Sequence, residues 1–453
     1  MRAVRPPAAS LSLRMPHPLR SLAAALALAR FLWPGAGATA AASALDIVAT
    51  SAPGWPQFRG PRRDGVSDER GLLPSWPEGG PTVLWTAGEC GRGYSSPIVV
   101  GERIYLTGDV DGALRVLAFD RAGRRLWDVP HGPAWARPHP GARTTPTFSA
   151  GRLYVLNAHG RLACFDAATG QERWVVEVLA QFGGKNLTWG LSENVLVDER
   201  AVYVTAGGRA ALLVALDRET GAVLWQTPPL PDPAGDGAAE SASYVSPILV
   251  RYAGRRLLLG CSLRQLYCAD ADTGVLQWTR PFPTTYSVLS MTPVPVGDAV
   301  FMSAPHGPGG ALFHLQAPAG PDARVGATDG WTTPLDTLQG GVVRVGDKLV
   351  GCYYGARKGW AALDSATGAV LYQNSAWVKG APLLAEGRLY ALCEDGWMRL
   401  LETGATQFHE HGRFRLAEAK QDAWAHPVLW AGRLYLRYHE TLSCYEVRAP
   451  AAP

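Results

Sequence analysis

Residue types that do chemistry are present in this 453-residue chain, but few stand at spacings that a reaction needs. His409-Glu410-His411 places two imidazoles on one strand face. A zinc site takes four ligands, and this motif supplies only two histidines. Its position just before Gly412 instead predicts a solvated hairpin. The sequence has no Gly-x-Ser-x-Gly, His-Glu-x-x-His or Cys-x-x-Cys motif. We therefore predict no catalytic residue and no metal site.

The seven cysteines leave at least one thiol unpaired. Cys261 and Cys268 fall in consecutive predicted strands and are able to pair across a hairpin. Cys164, Cys268 and Cys444 recur at one position of a repeat, where a small buried apolar residue suffices. The sequence leaves both possibilities open.

Residues 1–44 differ from the rest of the chain in charge. They hold five arginines and no acidic residue, so the remaining chain has a formal charge of −1 out of a total of +4. An apolar run over residues 22–33 and the small residues Ala38-Thr39-Ala40 predict a signal peptide or a disordered leader. We expect an exported protein, periplasmic or extracellular. A near-neutral remainder gives no basis for binding nucleic acid.

One phrase recurs along the chain and predicts a repeat architecture. An aspartate ends an apolar run, a Thr-Gly turn follows, and a tryptophan comes soon after, with the tryptophans 47, 51 and 53 residues apart. Asp and Thr bind turn backbone, and Gly supplies a positive φ. The predicted structural repeat residues are Asp120, Trp127, Asp166, Gly170, Trp174, Asp217, Gly221, Trp225, Asp270, Gly274, Trp278, Asp364 and Gly368.

Each unit contains four predicted strands, because alternating, β-branched and aromatic runs lie between glycine turns. Counting the second strands gives eight units over residues 83–447, and Val83-Leu84-Trp85 supplies the strand that the last unit lacks. We predict an all-β fold: a single eight-bladed β-propeller of four-stranded antiparallel blades, closed by an N-terminal strand. Residues 45–82 are an extended segment and residues 448–453 a tail. Seven blades with an insertion is the alternative, since the fifth unit lacks the Thr-Gly phrase.

Residues just before each innermost strand of a propeller surround its axis, and insertions between blades lie near them. A mixed rim of aromatic, cationic and polar groups predicts a site for a small anionic or sugar-like ligand. A solvated channel is the alternative. The candidate ligand-binding residues are Tyr94, Arg143, Lys185, Trp189, Glu193, Asn194, Tyr244, Lys379 and Trp424.

The repeat, written A/L-x-D-x-x-T-G-x-x-x-W, resembles the pyrroloquinoline-quinone-type (PQQ-like) propeller repeat. That repeat builds quinoprotein alcohol dehydrogenases and the outer-membrane assembly propeller. Residues 55–61 (WPQFRGP) and 184–190 (GKNLTWG) look like segments of the exported PQQ-like propellers of planctomycete-type bacteria. The resemblance implies the fold more strongly than a function, because enzymes and non-enzymes share the repeat.

Two functions follow from the resemblance. The favoured one is a non-catalytic exported scaffold that binds a protein or an envelope polymer through its loops, as a monomer without a cofactor or a transmembrane span after signal removal. The alternative is a PQQ- and Ca²⁺-dependent alcohol or sugar dehydrogenase. Glu193 and Asn194 are the candidate oxygen ligands for its calcium, but a Ca²⁺ site takes 6–8 oxygens, and the vicinal Cys-Cys pair common in those enzymes is absent.

Overall fold

The computed structural model describes residues 45–232, 238–355, 357–416 and 423–450. All of these residues belong to one compact unit, Ala42–Pro453. The predicted leader and the last three residues of the predicted tail lie outside the described residues. Within the described part of the chain, no helix has the length and hydrophobicity that a membrane span requires.

Three strands precede the first blade: β1 (Asp46–Ile47), β2 (Val66–Ser67) and β3 (Val83–Ala87). The strands of blade 1 are β4 (Ile98–Val100), β5 (Arg103–Val110), β6 (Ala113–Asp120) and β7 (Arg125–Pro133). Blade 2 has β8 (Thr147–Ser149), β9 (Arg152–Leu156), β10 (Arg161–Asp166) and β11 (Glu172–Glu177), followed by the helix α1 (Val178–Phe182). Blade 3 has β12 (Leu196–Val197), β13 (Ala201–Thr205), β14 (Leu213–Asp217) and β15 (Val223–Gln226). Blade 4 has β16 (Ile248–Tyr252), β17 (Arg255–Cys261), β18 (Gln265–Asp270) and β19 (Leu276–Pro281).

The second half of the chain continues the pattern. Blade 5 has β20 (Val294–Val296), β21 (Ala299–Ala304), β22 (Gly309–Gln316) and β23 (Gly326–Thr333). Blade 6 has β24 (Val343–Val345), β25 (Lys348–Cys352), β26 (Trp360–Asp364) and β27 (Val370–Asn374). Blade 7 has β28 (Gly380–Ala385), β29 (Arg388–Cys393), β30 (Trp397–Thr403) and β31 (Phe408–Arg415). Blade 8 has β32 (Val428–Trp430), β33 (Arg433–Tyr438) and β34 (Thr441–Glu446), and its fourth strand is β3.

The ring is closed as predicted by pairing the two ends of the propeller. β3 lies antiparallel to β34, with Trp85 opposite Cys444 and Thr86 opposite Ser443. Every blade is a complete antiparallel sheet, including blade 5. The eight-bladed prediction is therefore confirmed, and the seven-bladed alternative is wrong. Blade 5 builds its outer hairpin from two long strands, β22 and β23, instead of a Thr-Gly turn.

The core lies between neighbouring blades. Alternate residues of one sheet pack on alternate residues of the next, as Val116 and Ala118 of blade 1 do on Leu153 and Val155 of blade 2. These four side chains are fully buried. Sheet faces that alternate in this way are what the period-2 pattern of the sequence predicts.

The recurring phrase forms a turn that joins blades. In blade 4, Asp270 Oδ1 accepts hydrogen bonds from Thr273 N (2.9 Å) and Thr273 Oγ1 (2.8 Å). Gly274 has φ +76°, and a Cβ there would lie 2.5 Å from Cε3 of Trp225 in blade 3. The tryptophan of each such blade thus covers the glycine of the next. The other pairs are Trp85 with Gly123, Trp127 with Gly170, Trp174 with Gly221, and Trp331 with Gly368.

All seven cysteines are buried free thiols. Cys261 lies opposite Leu266 and Cys268 lies opposite Leu259. The two cysteines therefore do not face each other across the hairpin, and they form no disulfide. Cys164 and Cys268 face Trp174 and Trp278 on the neighbouring strand, and Cys444 faces Trp85. A small side chain fills the space beside each tryptophan.

Residues 54–67, which we call the plug, fill the centre of the ring. Trp55 exchanges backbone hydrogen bonds with Val99 of blade 1. Arg63 donates to Asn194 O (2.8 Å), Val195 O (2.5 Å) and Pro247 O (3.1 Å) in the region of blades 3 and 4. A short segment that bonds to inner strands around the ring must cross the channel. Of the extended segment expected over residues 45–82, residues 54–67 therefore lie in the propeller interior.

The plug also reaches the remaining side of the ring. Arg59 Nη2 donates to Val342 O at 2.6 Å, next to blade 6. β2 pairs in parallel with β28 of blade 7, with Val66 opposite Leu384. Arg59 and Arg63 are each only 2% exposed, and burial lowers the pKa of Arg59 to about 10 and that of Arg63 to about 9. Both remain cationic at neutral pH and bind backbone carbonyl groups.

Candidate functional site

A ladder of side-chain hydrogen bonds links blades just before their innermost strands. His426 N donates to Ser96 Oγ (2.8 Å), and Ser96 N donates to Thr145 Oγ1 (3.0 Å). Thr145 N donates to Asn194 Oδ1 (2.5 Å), and Asn194 N to Ser246 Oγ (3.0 Å). Each acceptor but Asn194 precedes a proline, which accounts for the Ser/Thr-Pro repeats of the sequence. The ladder fixes the positions of the groups that face the channel.

Beside this ladder lies a cavity of about 450 Å³, at the end of the channel where the inner strands begin, which we call the mouth. Phe58 of the plug and His426 lie at its base, in edge-to-face contact at 4.7 Å between ring centroids. The cavity is therefore closed towards the plug. Its lining residues are Phe58, Tyr94, His139, Arg143, Thr145, Trp189, Ser192, Asn194, Tyr244, Ser246, Tyr286, Val288, Ser290, His306, Leu338, Gln339, Tyr354, Lys379, Glu394, Trp424 and His426.

Aromatic rings form three groups in the wall. Tyr94 and Trp424 pack against each other at 4.5 Å between centroids, with their ring planes inclined by 33°. Trp189 contacts Tyr244 at 5.9 Å. His306 lies between Tyr286 (4.8 Å) and Tyr354 (5.2 Å). These groups come from blades 8 and 1, from the segments before blades 3 and 4, and from blades 5 and 6, so they face each other across the ring.

The charged groups of the cavity lie on two sides. Lys379 Nζ lies 3.5 Å from a Glu394 carboxylate oxygen and 4.2 Å from the centroid of the Tyr354 ring. Gln339 Nε2 donates to Glu394 at 3.1 Å. Opposite, Arg143 donates to Pro138 O (3.0 Å) and His139 O (2.7 Å). Burial lowers the pKa of Arg143 to about 10, and the guanidinium stays protonated.

The structure brings together seven of the nine predicted ligand-binding residues. They are Tyr94, Arg143, Trp189, Asn194, Tyr244, Lys379 and Trp424. Lys185 lies elsewhere, on a separate cleft of about 680 Å³ that Arg209 also lines. Glu193 faces away from the cavity and is 1% exposed; its carboxylate accepts Thr205 N at 3.1 and 3.2 Å.

Sequence reasoning missed several lining residues because they come from other parts of the blades. Phe58 belongs to the plug. His306, Tyr354 and Glu394 lie in the turns between the second and third strands of blades 5, 6 and 7. Those turns lie at the same end of an antiparallel blade as the connection into the inner strand. A search of both kinds of loop for aromatic and charged residues would have found them.

A calcium-quinone centre does not fit the groups at this mouth. Glu394 supplies the one carboxylate among the lining residues named above, and it already contacts Lys379 and accepts a hydrogen bond from Gln339. Asn194 uses Oδ1 to accept Thr145 N and Nδ2 to donate to Ser246 Oγ. Among the residues that the structure describes, no three His, Cys, Asp or Glu side chains cluster as metal ligands would.

His409 and His411 lie on β31 at the outside of blade 7. His411 Nε2 lies 2.7 Å from a Glu402 carboxylate oxygen on the neighbouring strand β30. His409 is exposed and lies opposite Glu402 in the strand register. The motif is thus part of an outer hairpin, the position that the sequence predicts for it.

Two known proteins that share one name are similar to this chain in sequence. The chain is 25% identical over 250 residues to outer membrane protein assembly factor BamB of Burkholderia pseudomallei (strain K96243), covering 47% of this chain and 63% of that protein. It is 29% identical over 139 residues to the protein of that name from Alkalilimnicola ehrlichii, covering 30% and 32%. The matches span less than two thirds of either relative.

Among solved structures, the crystal structure of BamB from Moraxella catarrhalis has a TM-score of 0.54 and 15% sequence identity. The match covers 81% of this chain and 99% of that one, and it shows a shared fold. The family described as outer membrane protein assembly factor BamB matches residues 112–347, just over half of the sequence. The chain therefore belongs to this family of PQQ-like repeat propellers.

Proposed function

We propose that this protein is a non-catalytic protein-interaction scaffold of the cell envelope that acts in the assembly of outer-membrane proteins. The observation that carries the proposal is that the plug, residues 54–67, fills the centre of the ring. Because the plug blocks the channel, the mouth is a closed, rigidly held concave surface surrounded by loops that differ from blade to blade. Loops on a rigid repetitive scaffold are where partners bind. Membership of the assembly-factor family supports the same role.

The proposed location is the periplasm or the extracellular space. The basic, apolar features of residues 1–44 are those of a secretory leader. The partner is a protein that contacts the mouth loops, and the propeller acts as a monomer. The formal charge of −1 for the rest of the chain gives it no general attraction to nucleic acid.

The scaffold role is tested in cells that lack the gene. We expect a lower abundance of folded outer-membrane proteins in these cells. The wild-type gene should restore it, and so should the control variant Leu371→Asp, which changes an exposed side chain far from the mouth. Replacing residues 283–290, which carry Tyr286 and line the mouth, with a Gly/Ser loop should not restore it. Unchanged outer-membrane protein abundance in the deletion strain would contradict the role.

A second experiment separates the scaffold from the dehydrogenase alternative. The purified protein is titrated with pyrroloquinoline quinone and Ca²⁺, and dye-linked oxidation of alcohols and sugars is followed. We expect neither a saturable shift in quinone absorbance nor turnover. Saturable binding accompanied by turnover would replace the scaffold with an oxidoreductase.

A further inference from the structure

The mouth cavity combines aromatic walls with polar clusters at its two ends, a pattern that goes beyond a surface for docking a protein. Its volume of about 450 Å³ falls within the ~300–1,000 Å³ typical of small-ligand sites. Phe58 and His426 close it below, so a ligand enters from one side only. Burial and the nearby Arg59 guanidinium lower the pKa of His426 to about 3, so the imidazole at the base of the cavity is uncharged at neutral pH.

The aromatic walls suit a ring that has C–H groups on its faces. Aromatic faces are electron-rich and attract the positive edges of C–H bonds. Tyr286 is 62% exposed and lies beside His306 and Tyr354, and Tyr94 packs against Trp424 on the other side of the ring. Blades 1 and 5 are diametrically opposed in an eight-bladed ring. A pyranose between the two walls would have an aromatic surface near each face.

The polar groups match the edges of the same ring. On one side, Lys379 and Gln339 supply donors and Glu394 supplies an acceptor, which together suit hydroxyl groups that both donate and accept. On the other side, Arg143 binds backbone carbonyl oxygens and forms no ion pair within the described parts of the chain. Glu394 offsets Lys379, whereas Arg143 lies near the Asp109 carboxylate without forming an ion pair with it, so its guanidinium remains to bind an anion.

An extended peptide fits this cavity less well. Peptides that bind propeller or sheet edges by strand addition need free backbone groups. The inner strands of blades 1, 4 and 7 are already paired with the N-terminal segment, at Val99 with Trp55, at Arg251 with Asp46, and at Leu384 with Val66. The remaining recognition comes from side chains, and these alternate between aromatic and polar as the faces and edges of a saccharide do.

We propose that the mouth cavity binds an acidic saccharide, with a pyranose ring against the Tyr286 wall, hydroxyl groups at Lys379, Glu394 and Gln339, and the carboxylate at Arg143. This site shares the mouth with the proposed protein partner, but the inference does not rest on the scaffold role. Binding is measured by isothermal titration calorimetry of the purified protein with digalacturonate and trigalacturonate. The fully methyl-esterified oligomers are the neutral comparison. We expect the ester to bind about 10-fold more weakly, equivalent to ~1.4 kcal/mol.

Two substitutions assign the contacts. Tyr286→Ala should weaken binding of both the acid and the ester about 10-fold, whereas Tyr286→Phe keeps the aromatic face and the affinity. Arg143→Gln should abolish the preference for the acid, and Arg143→Lys should retain part of it. Arg344→Gln, at an exposed position of blade 6, is the matched control and should change nothing. Melting temperatures of all variants confirm that they fold.

Four results would overturn the proposal. They are the absence of saturable binding by the acid, equal affinity for acid and ester, an unchanged affinity in Tyr286→Ala, and tighter binding of a peptide of the same charge. None of these depends on outer-membrane protein abundance in cells. Failure of the saccharide site and failure of the scaffold role are therefore distinguishable.

Discussion

Asn194 shows how a single side chain changes the interpretation of the mouth. In the sequence it stands beside Glu193 where other blades have a residue followed by proline, and an amide next to a carboxylate suggests a cation site. In the fold its amide accepts Thr145 N and donates to Ser246. Asn194 is thus the blade-3 member of the hydrogen-bond ladder. Asn194 lines the cavity, but most of the hydrogen-bonding capacity of its amide is already used within the protein.

At the scale of one residue, the glycine of the repeated turn should be needed for packing as well as for its backbone angle. Gly274 and Gly254 lie in blade 4 with the same φ of +76°, but only at Gly274 would a Cβ meet Trp225. We expect Gly254→Ala to lower the free energy of unfolding by about 1 kcal/mol. Gly274→Ala should lower it by ~2–4 kcal/mol, because the added methyl group also overpacks against Trp225. Urea unfolding measures both; equal losses would contradict the role of the tryptophan.

Glu193 should make stability depend on pH. Burial raises the pKa of Glu193 to about 7, above the ~4.3 of an unfolded chain. Between these values the folded protein binds more protons, so the free energy of unfolding falls as pH rises. Glu193→Gln stays neutral and should flatten this dependence. Above pH 7 we expect it to be more stable than the wild type by on the order of 1–3 kcal/mol.

A second carboxylate provides the control for that experiment. Backbone N–H groups of Leu72 and Gly71 lower the pKa of Glu386, so its contribution is present at neutral pH and lost on acidification. Glu386→Gln should therefore reduce stability at neutral pH, opposite in sign to Glu193→Gln. Denaturant titrations from pH 4 to 8 compare the two. A Glu193→Gln variant that follows the wild-type profile would contradict the buried-acid interpretation.

At the scale of the elements, the sequence predicts the strands and misses the plug. Strands and their turns depend on local signals: period-2 alternation, Asp-x-x-Thr-Gly and Pro before the inner strand. Residues 54–67 have none of these, and their hydrogen bonds reach partners far along the chain, such as Val342 from Arg59 and Pro247 from Arg63. A cationic side chain that binds carbonyl groups leaves no pattern in a sequence.

The plug should contribute strongly to stability through Arg63. This side chain is buried and donates to Asn194 O, Val195 O and Pro247 O. Arg63→Ala leaves buried carbonyl groups without donors, at ~1–3 kcal/mol for each unsatisfied group, and we expect a loss of at least about 3 kcal/mol. Chemical denaturation measures it.

The neighbouring Arg62 is the matched control. Its ion pairs with Asp64 and Asp68 are partly exposed, and such pairs contribute ~0–1 kcal/mol. We expect Arg62→Ala to lower the free energy of unfolding by no more than about 1 kcal/mol. If the two variants lose the same stability, the plug is not held by its buried guanidinium.

At the scale of the whole molecule, the closed ring determines what the mouth can be. The sequence predicts closure, because Val83-Leu84-Trp85 repeats the outermost strand of a blade without the preceding turn. It predicts the residues before the inner strands, seven of which line the cavity, but it does not predict the parts of the lining that come from the plug and from turns within blades 5 to 7. Only closure of the full circle brings Arg143 opposite Lys379 and Glu394.

Joining β3 to β34 covalently should therefore stabilise the entire propeller. Thr86 lies opposite Ser443 in the antiparallel register, with their hydroxyl oxygens 3.1 Å apart, and opposed residues of antiparallel strands have Cα separations of about 4.5–5.5 Å, within the range of a disulfide. The oxidised Thr86→Cys/Ser443→Cys variant should gain about 2–4 kcal/mol in the free energy of unfolding. The reduced variant and both single variants are the controls, and the native thiols are all buried. Identical denaturation curves for the oxidised and reduced forms would mean that the ring opens first at another pair of blades.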